Sequence, residues 1–229
     1  MNHFFKPRFW IVLPLVVWAV LAANTTEVSL RLGTLVVLLG EVLRFWSNGY
    51  VGHVKVNWTS LNKNGIKVGR LVTAGPYAFV RNPLYFGTFV IAAGFCMAIG
   101  NPWFGLVTLC SLLVVYQSKI QEEEVDIAHE GGEVYRSYRK AVPRLLPTLR
   151  RYPDRQGRFS WQGIKASKEW KTVIWVTVFL IALYIREETF EEHGFLVANQ
   201  WVKHVALLSF MVILAAADGL LELIHRLRG

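Results

Sequence analysis

The 229-residue chain is short of the residues that make cross-links, metal centres and acidic surfaces. It has two cysteines, Cys96 and Cys110, and both stand inside apolar runs, where a thiol reads as a packing residue. No group of Cys and His has metal-ligand spacing, so no metal is expected. Acidic residues number 16 against 25 lysines and arginines, which leaves a formal charge of +9. A nucleic-acid-binding protein can be that basic, but not with a mean hydropathy of +0.34. Apolar and basic together point to a membrane, and nucleic acid is not expected as a partner. The sequence also lacks internal repeats and low-complexity tracts. With the polar groups gathered toward one face, that absence argues against an alternating-access transporter.

What is present is a series of six apolar segments, at residues 9–23, 28–46, 84–100, 103–117, 173–185 and 205–223. A helix crossing the hydrocarbon core needs about 20 residues, with about 17 the lower limit, so length alone does not identify all six as spans. Charge placement does. With the N-terminus cytoplasmic and every segment crossing, the inner stretches hold 21 of the 25 lysines and arginines. The outer loop at 186–200 carries Glu187, Glu188, Glu191 and Glu192 instead. This is the asymmetry of the positive-inside rule. Trp10, Trp46, Trp103, Trp170 and Trp201 stand at segment ends, where an amphipathic ring suits the headgroup layer. The expected fold is an all-α polytopic transmembrane helical bundle of about six spans, with both termini cytoplasmic. A cleaved signal peptide at Lys6, Arg8 and the apolar run that follows is the weaker reading, because the next span begins almost at once.

The third and fourth segments are joined by Asn101–Pro102, which predicts an antiparallel helical hairpin with Pro102 in the first turn of the returning helix. Residues 47–83 read as an inner loop around Asn62, Asn64, Gly65 and Gly69. Residues 118–148 read as a polar helix running on from the fourth span, with a second short piece near 133–141. The stretch 148–170 interleaves basic residues with Tyr152, Phe159, Trp161 and Trp170, as an interfacial linker does. The chain therefore divides into a four-span core at 1–150, a basic interfacial linker at 151–172 and a two-span extension at 173–229.

Three clusters of polar residues stand where apolar ones would be expected. In the second segment Glu41 and Arg44 are three apart on one helical face, close enough to pair, in a position where ionisable groups face a cavity or a partner. Arg31, nearer the outer end, can snorkel. Ahead of the third segment, Gly75–Pro76 and Asn82–Pro83 are turn signals that bring Tyr77, Arg81 and Tyr85 to its inner mouth. After the fourth segment come Lys119, Glu122, Glu123 and Glu124, then Tyr135 and Tyr138. Three adjacent glutamates point about 100° apart round a helix, so at most two share a site.

The order of these clusters resembles the isoprenylcysteine carboxyl methyltransferase family and its phospholipid-methyltransferase relatives. Gly40-Glu41-Val42-Leu43-Arg44 is similar to that family's Gly-Glu-x-Leu-Arg run, and residues 71–77 to its Leu-Val-Thr-x-Gly-x-Tyr. Residues 81–87 are similar to its Arg-His-Pro-x-Tyr-x-Gly signature, with Asn82 where His is commonest. Glu123, Glu124, Gly132, Tyr135, Tyr138 and Pro147 are similar to its tail motif. The resemblance covers about residues 35–150. It implies an S-adenosylmethionine-dependent methyltransferase with a lipid-like acceptor, either a prenylcysteine-type carboxylate or a phospholipid amine. It further implies a cytoplasm-facing cofactor pocket lined by Tyr77, Arg81, Asn82, Tyr85, Gly87, Glu123, Glu124, Tyr135 and Tyr138. Glu41, Arg44 and Lys119 are the candidates for the reacting end.

Two departures from the family pattern have chemical consequences. Asn82 can hydrogen-bond as a neutral His does, but it cannot titrate. Lys119 stands where the prenylcysteine enzymes have arginine, and a lysine offers a point charge rather than a fork for a carboxylate. Competing readings are an NADPH-dependent membrane reductase of the sterol-reductase type and a non-catalytic lipid-binding membrane protein.

Overall fold

The structure is a computed structural model that describes Ala19, residues 23–51, 58–59, 70–167 and 169–188, and scattered positions between 205 and 220. The first and sixth apolar segments, the acidic loop and residues 62–69 fall wholly or largely outside the described residues. Among the described residues the protein is helical, with α1 at Glu27–Val51, α2 at Pro83–Ile99, α3 at Pro102–Ala141, α4 at Trp161–Ala166 and α5 at Trp170–Glu187. The all-α expectation holds, apart from a two-residue antiparallel pair of β1 (Trp58–Thr59) and β2 (Arg70–Leu71).

Local chemistry sets the helix ends. Thr26 and Ser29 cap α1 reciprocally: the Thr26 amide donates to Ser29 Oγ at 2.9 Å and the Ser29 amide to Thr26 Oγ1 at 3.2 Å. Glu27 in the first turn pairs with Arg31. Pro83 opens α2, where its missing donor has no partner to lose. Gly100, at φ 68°, takes the left-handed conformation that ends it. Asn101 Oδ1 then accepts from the Phe104 amide at 3.1 Å, and Pro102 starts α3. α3 breaks at Gly132, whose φ of 51° and ψ of −135° are non-helical. That break sets off the short second piece expected near 133–141.

The chain divides into two compact units. One comprises Met1–Leu35, Gly94–Val107 and Lys171–Gly229; the other comprises Val36–Ala93 and Thr108–Trp170. The first is centred on Ala19, Ala23, Leu30, Ala98, Ile99 and Leu183, with Phe95 and Phe179 edge to face at 4.8 Å. Its helices approach closely at Gly33, where a Cβ would lie 2.5 Å from the Gly94 carbonyl oxygen and 2.6 Å from the Ala98 nitrogen. The second unit has two cores. Leu71, Ala78, Ile127, Tyr135, Tyr138, Val142 and Tyr152 form the larger, and Val51, Val72, Tyr77 and Leu84 the smaller.

Apolar side chains also face outward, among them Leu35, Leu38, Leu39 and Val42 on α1 and Leu106, Val107, Val114 and Val115 on α3. Among the described residues one helix, Pro102–His129, is long and apolar enough to cross a membrane; α2 is apolar but shorter, at 17 residues. Small residues at helix contacts and apolar residues outside are what lipid solvation favours.

Because Gly33 meets backbone on two sides, a side chain there forces the helices apart. Gly33→Val is expected to cost about 1–3 kcal/mol, seen as a lower melting temperature of the detergent-solubilised protein. An unchanged melting curve would mean that this close approach does not contribute to stability.

Candidate functional site

The second unit gathers most of the polar residues singled out in the sequence, and the segment from Thr73 to Gly87 organises them. Residues 143–156 run beside that segment and hold it by backbone hydrogen bonds. The Thr73 and Ala74 amides donate to the Gln156 carbonyl at 2.9 and 3.1 Å, and the Tyr152 amide to that of Ala78 at 3.0 Å. The Thr148 amide donates to the Phe79 carbonyl at 2.9 Å, and the Arg81 amide to that of Pro143 at 2.9 Å. Thr73 Oγ1 adds a bond to the Asp154 carbonyl at 2.8 Å and accepts from the Gln156 amide at 2.8 Å. A 3₁₀ turn at Gly75–Ala78 fits inside this clamp, with Gly75 at φ 63°.

The clamp presents residues 81–85 to the polar part of α3. Glu124 is buried and receives two guanidinium groups, Arg81 Nη2 at 3.1 Å and Arg144 Nη2 at 2.9 Å. Arg144 Nε adds a second bond at 3.1 Å, so its fork is bidentate. Asn82 Nδ2 donates both to Glu124, at 3.2 Å, and to the Arg144 carbonyl, at 3.1 Å. Arg81 also donates to the Arg139 carbonyl at 2.9 Å. One residue along α3, half-buried Glu123 accepts from the Tyr85 hydroxyl at 2.8 Å. The Tyr85 ring lies 5.0 Å from that of Tyr116.

A second charged network lies at the Leu84–Thr88 end of the same strip. Arg44 Nε pairs with Glu169 at 2.5 Å, and Arg44 Nη1 donates to Thr88 Oγ1 at 2.6 Å and the Leu84 carbonyl at 3.3 Å. Asn48 Nδ2 donates to the other Glu169 oxygen at 2.9 Å. Gly87 makes this possible, because a Cβ there would lie 2.6 Å from Arg44 Cγ. The spacing of Glu41 and Arg44 allows an ion pair, yet Arg44 takes its carboxylate from Glu169. Glu41 is 6% exposed, and neither of its oxygens has a hydrogen-bond partner among the described residues.

The remaining sequence candidates are placed as follows. Tyr138 donates its hydroxyl to the Tyr77 carbonyl at 2.7 Å and stacks edge-on with Tyr152 at 5.2 Å. Tyr135 lies beside it in the larger core. The Tyr77 hydroxyl is buried with no partner among the described residues. Lys119 is exposed and pairs with exposed Glu122 at 3.8 Å, away from the buried network. Burial holds these phenols protonated. It pushes Tyr135 up to about 12 and raises Tyr77 and Tyr138 well above the ordinary phenol range.

Arg144, Asn48, Thr88 and Glu169 were not singled out by sequence reasoning. Arg144 had a usable signal, as a cation directly after Val142–Pro143 and close to the tail motif. Glu169, 125 positions from Arg44, had none.

Two expectations follow for stability. Glu124→Ala strands the buried Arg81 guanidinium and the partly exposed Arg144 one and is expected to cost about 3–5 kcal/mol, whereas Lys119→Ala removes an exposed pair worth about 0–1 kcal/mol. Denaturant unfolding in detergent separates the two, and equal losses would contradict the assigned geometry. The phenols with raised values also make the folded state alkali-sensitive. Their stabilising contribution is complete below about pH 10 and is lost as pH rises through the folded-state values, near 12 for Tyr135. Titrating unfolding against pH checks this; flat stability to pH 12 would contradict it.

Comparison with known proteins follows the same strip of sequence. Residues 28–128 match the family model for phospholipid methyltransferase. The chain is 33% identical over 122 residues to the protein-S-isoprenylcysteine O-methyltransferases of Rattus norvegicus and Homo sapiens, covering 52% of this chain and 41% of each relative. It is 40% identical over 82 residues to the methanethiol S-methyltransferase of Pseudomonas deceptionensis, covering 35% of this chain and 29% of that one. The chain thus spans less than half the length of these relatives. No solved structure matches it. The matched segment carries α1, Arg81–Gly87 and Glu123–Glu124, and over it the chain is similar to isoprenylcysteine and phospholipid methyltransferases.

Proposed function

We propose that this protein is an integral membrane methyltransferase that moves a methyl group from S-adenosylmethionine to a lipid-like acceptor. The observation that carries the reading is the locking of residues 81–85 onto Glu123 and Glu124 at the polar end of the membrane-length helix. That arrangement puts fixed carboxyl, guanidinium and aromatic groups beside apolar surface, as a polar donor and a lipid-like acceptor require. The proposed topology is six spans with a hairpin at the third and fourth, both termini and the pocket facing the cytoplasm. The organisation is a core at 1–150, an interfacial linker at 151–172 and a two-span extension at 173–229.

The residues present fit the donor. Glu123 has an oxygen with no hydrogen bond among the described residues, and it stands where a carboxylate can accept from a ribose diol or an ammonium. Tyr77 has a buried hydroxyl with no partner among the described residues. The paired rings of Tyr85 and Tyr116 offer faces that attract a sulfonium. Glu124, Arg81 and Asn82 bond to one another, and their part in this reading is to hold the strip in place. Tyr138 and Tyr135 brace it from the core. S-adenosylmethionine supplies, when bound, an electrophilic methyl on a good leaving group. In-line transfer needs little acid–base help, so the chain's contribution is orientation and the exclusion of water.

Calorimetry of the detergent-purified protein tests the reading, with S-adenosylmethionine and NADPH in parallel cells. Micromolar binding of S-adenosylmethionine alone is expected, and Glu123→Gln should weaken it about tenfold with an unchanged melting temperature. Binding of NADPH alone would replace this reading with a reductase. Binding of neither by folded protein would remove it.

A further inference from the structure

The Arg44 network lies outside the donor-holding groups and contains a contact that the family pattern does not supply. Arg44 is part of the Gly-Glu-x-Leu-Arg run, but its carboxylate partner, Glu169, lies far beyond the matched segment 28–128. Glu169 is 1% exposed, and both its oxygens are engaged, one by Arg44 and the other by Asn48. The pair is therefore a built feature of the interior rather than a surface contact.

A guanidinium is the side chain best shaped to receive a carboxylate. In this unit the chain answers Arg44 with its own. An incoming acceptor carboxylate would have to displace Glu169 from a site that excludes water. It would then stand near Glu41, which lies within electrostatic reach of both Arg44 and Glu169. Like charges at such a site are strongly disfavoured. Glu41 has the opposite preference. Among the described residues its two buried oxygens lack donors, and a head group that brings N–H, O–H or S–H bonds would satisfy them.

The strip connects this network to the donor-holding groups. Arg44 bonds the Leu84 carbonyl, and the next residue, Tyr85, bonds Glu123. The two networks thus attach to adjacent residues of the same strip.

We propose that Glu169 is a specificity-determining residue: by occupying Arg44 it closes the acceptor site to carboxylates and leaves Glu41 to receive a hydrogen-donating head group. The word acceptor rests on the methyltransferase reading, whereas the discrimination between head groups does not.

The test uses two isoprenoid amphiphiles identical except for a primary amine or a carboxylate head. Their binding to the full-length protein in detergent is measured by calorimetry without methyl donor. The wild type should bind the amine at least about thirtyfold more tightly than the carboxylate. Glu169→Gln should narrow that ratio about tenfold or more by improving carboxylate binding, and Glu169→Asp should restore the wild-type preference. A purely structural role would weaken both ligands together and leave the ratio alone. Equal binding of the two heads by the wild type, or binding of neither, overturns the proposal whether or not the Gln variant folds. So does an unchanged ratio in folded Glu169→Gln. Head-group discrimination without S-adenosylmethionine binding would remove the methyltransferase reading alone. S-adenosylmethionine binding without discrimination would remove this proposal alone.

Discussion

The buried carboxylate of Glu124 is the constraint on which the rest of the candidate site depends. Two guanidinium groups and one amide converge on it from two parts of the chain, residues 81–82 and Arg144. Two of those partners are held by a further bond, Arg81 to the Arg139 carbonyl and Asn82 to the Arg144 carbonyl. A buried charge so fully answered is costly to disturb from any side. The backbone of residues 81–85 is therefore set before any ligand arrives, and Tyr85 and Leu84 offer their groups to Glu123 and Arg44 from fixed positions. Preorganisation of this kind suits a reaction that asks the protein for alignment more than for proton transfer.

Helix packing and charge placement meet in the two glycines of the second unit. A Cβ at Gly40 would lie 2.9 Å from the Gly87 carbonyl oxygen, and one at Gly87 would strike the Arg44 stem. The same missing side chains bring α1 and α2 together and let a long cation pass between them to reach Thr88 and Glu169. Packing that resembles a lipid-phase helix contact thus also creates a polar interior.

Sequence patterns found what depends on local chemistry. Pro83, Gly100, Asn101 and Pro102 act on their own turns, and the helix ends fall where they indicate. Arg81, Asn82 and Glu124 carried recognisable motifs, and the structure brings them together. Long-range choices were not legible. The spacing of Glu41 and Arg44 permits a pair, but spacing cannot reveal that a more deeply buried carboxylate 125 positions away competes for the same arginine. Nor could it show that Tyr138, on one helical face with Tyr135, spends its hydroxyl on the Tyr77 carbonyl. In the same way nothing in residues 143–156 announces a clamp, because backbone hydrogen bonds leave little trace in side-chain identity.

The clamp and the Glu169 contact separate two kinds of boundary. Kinship is concentrated in residues 28–128, yet the groups that neutralise Arg81, Glu124 and Arg44 include Arg144 and Glu169, which come later in the chain. The matched segment therefore does not hold its own charge balance: Arg44 and Glu124 are completed by residues that follow it. An excised fragment ending at residue 128 would carry the family's signature motifs and lack the counter-charges that hold them in place.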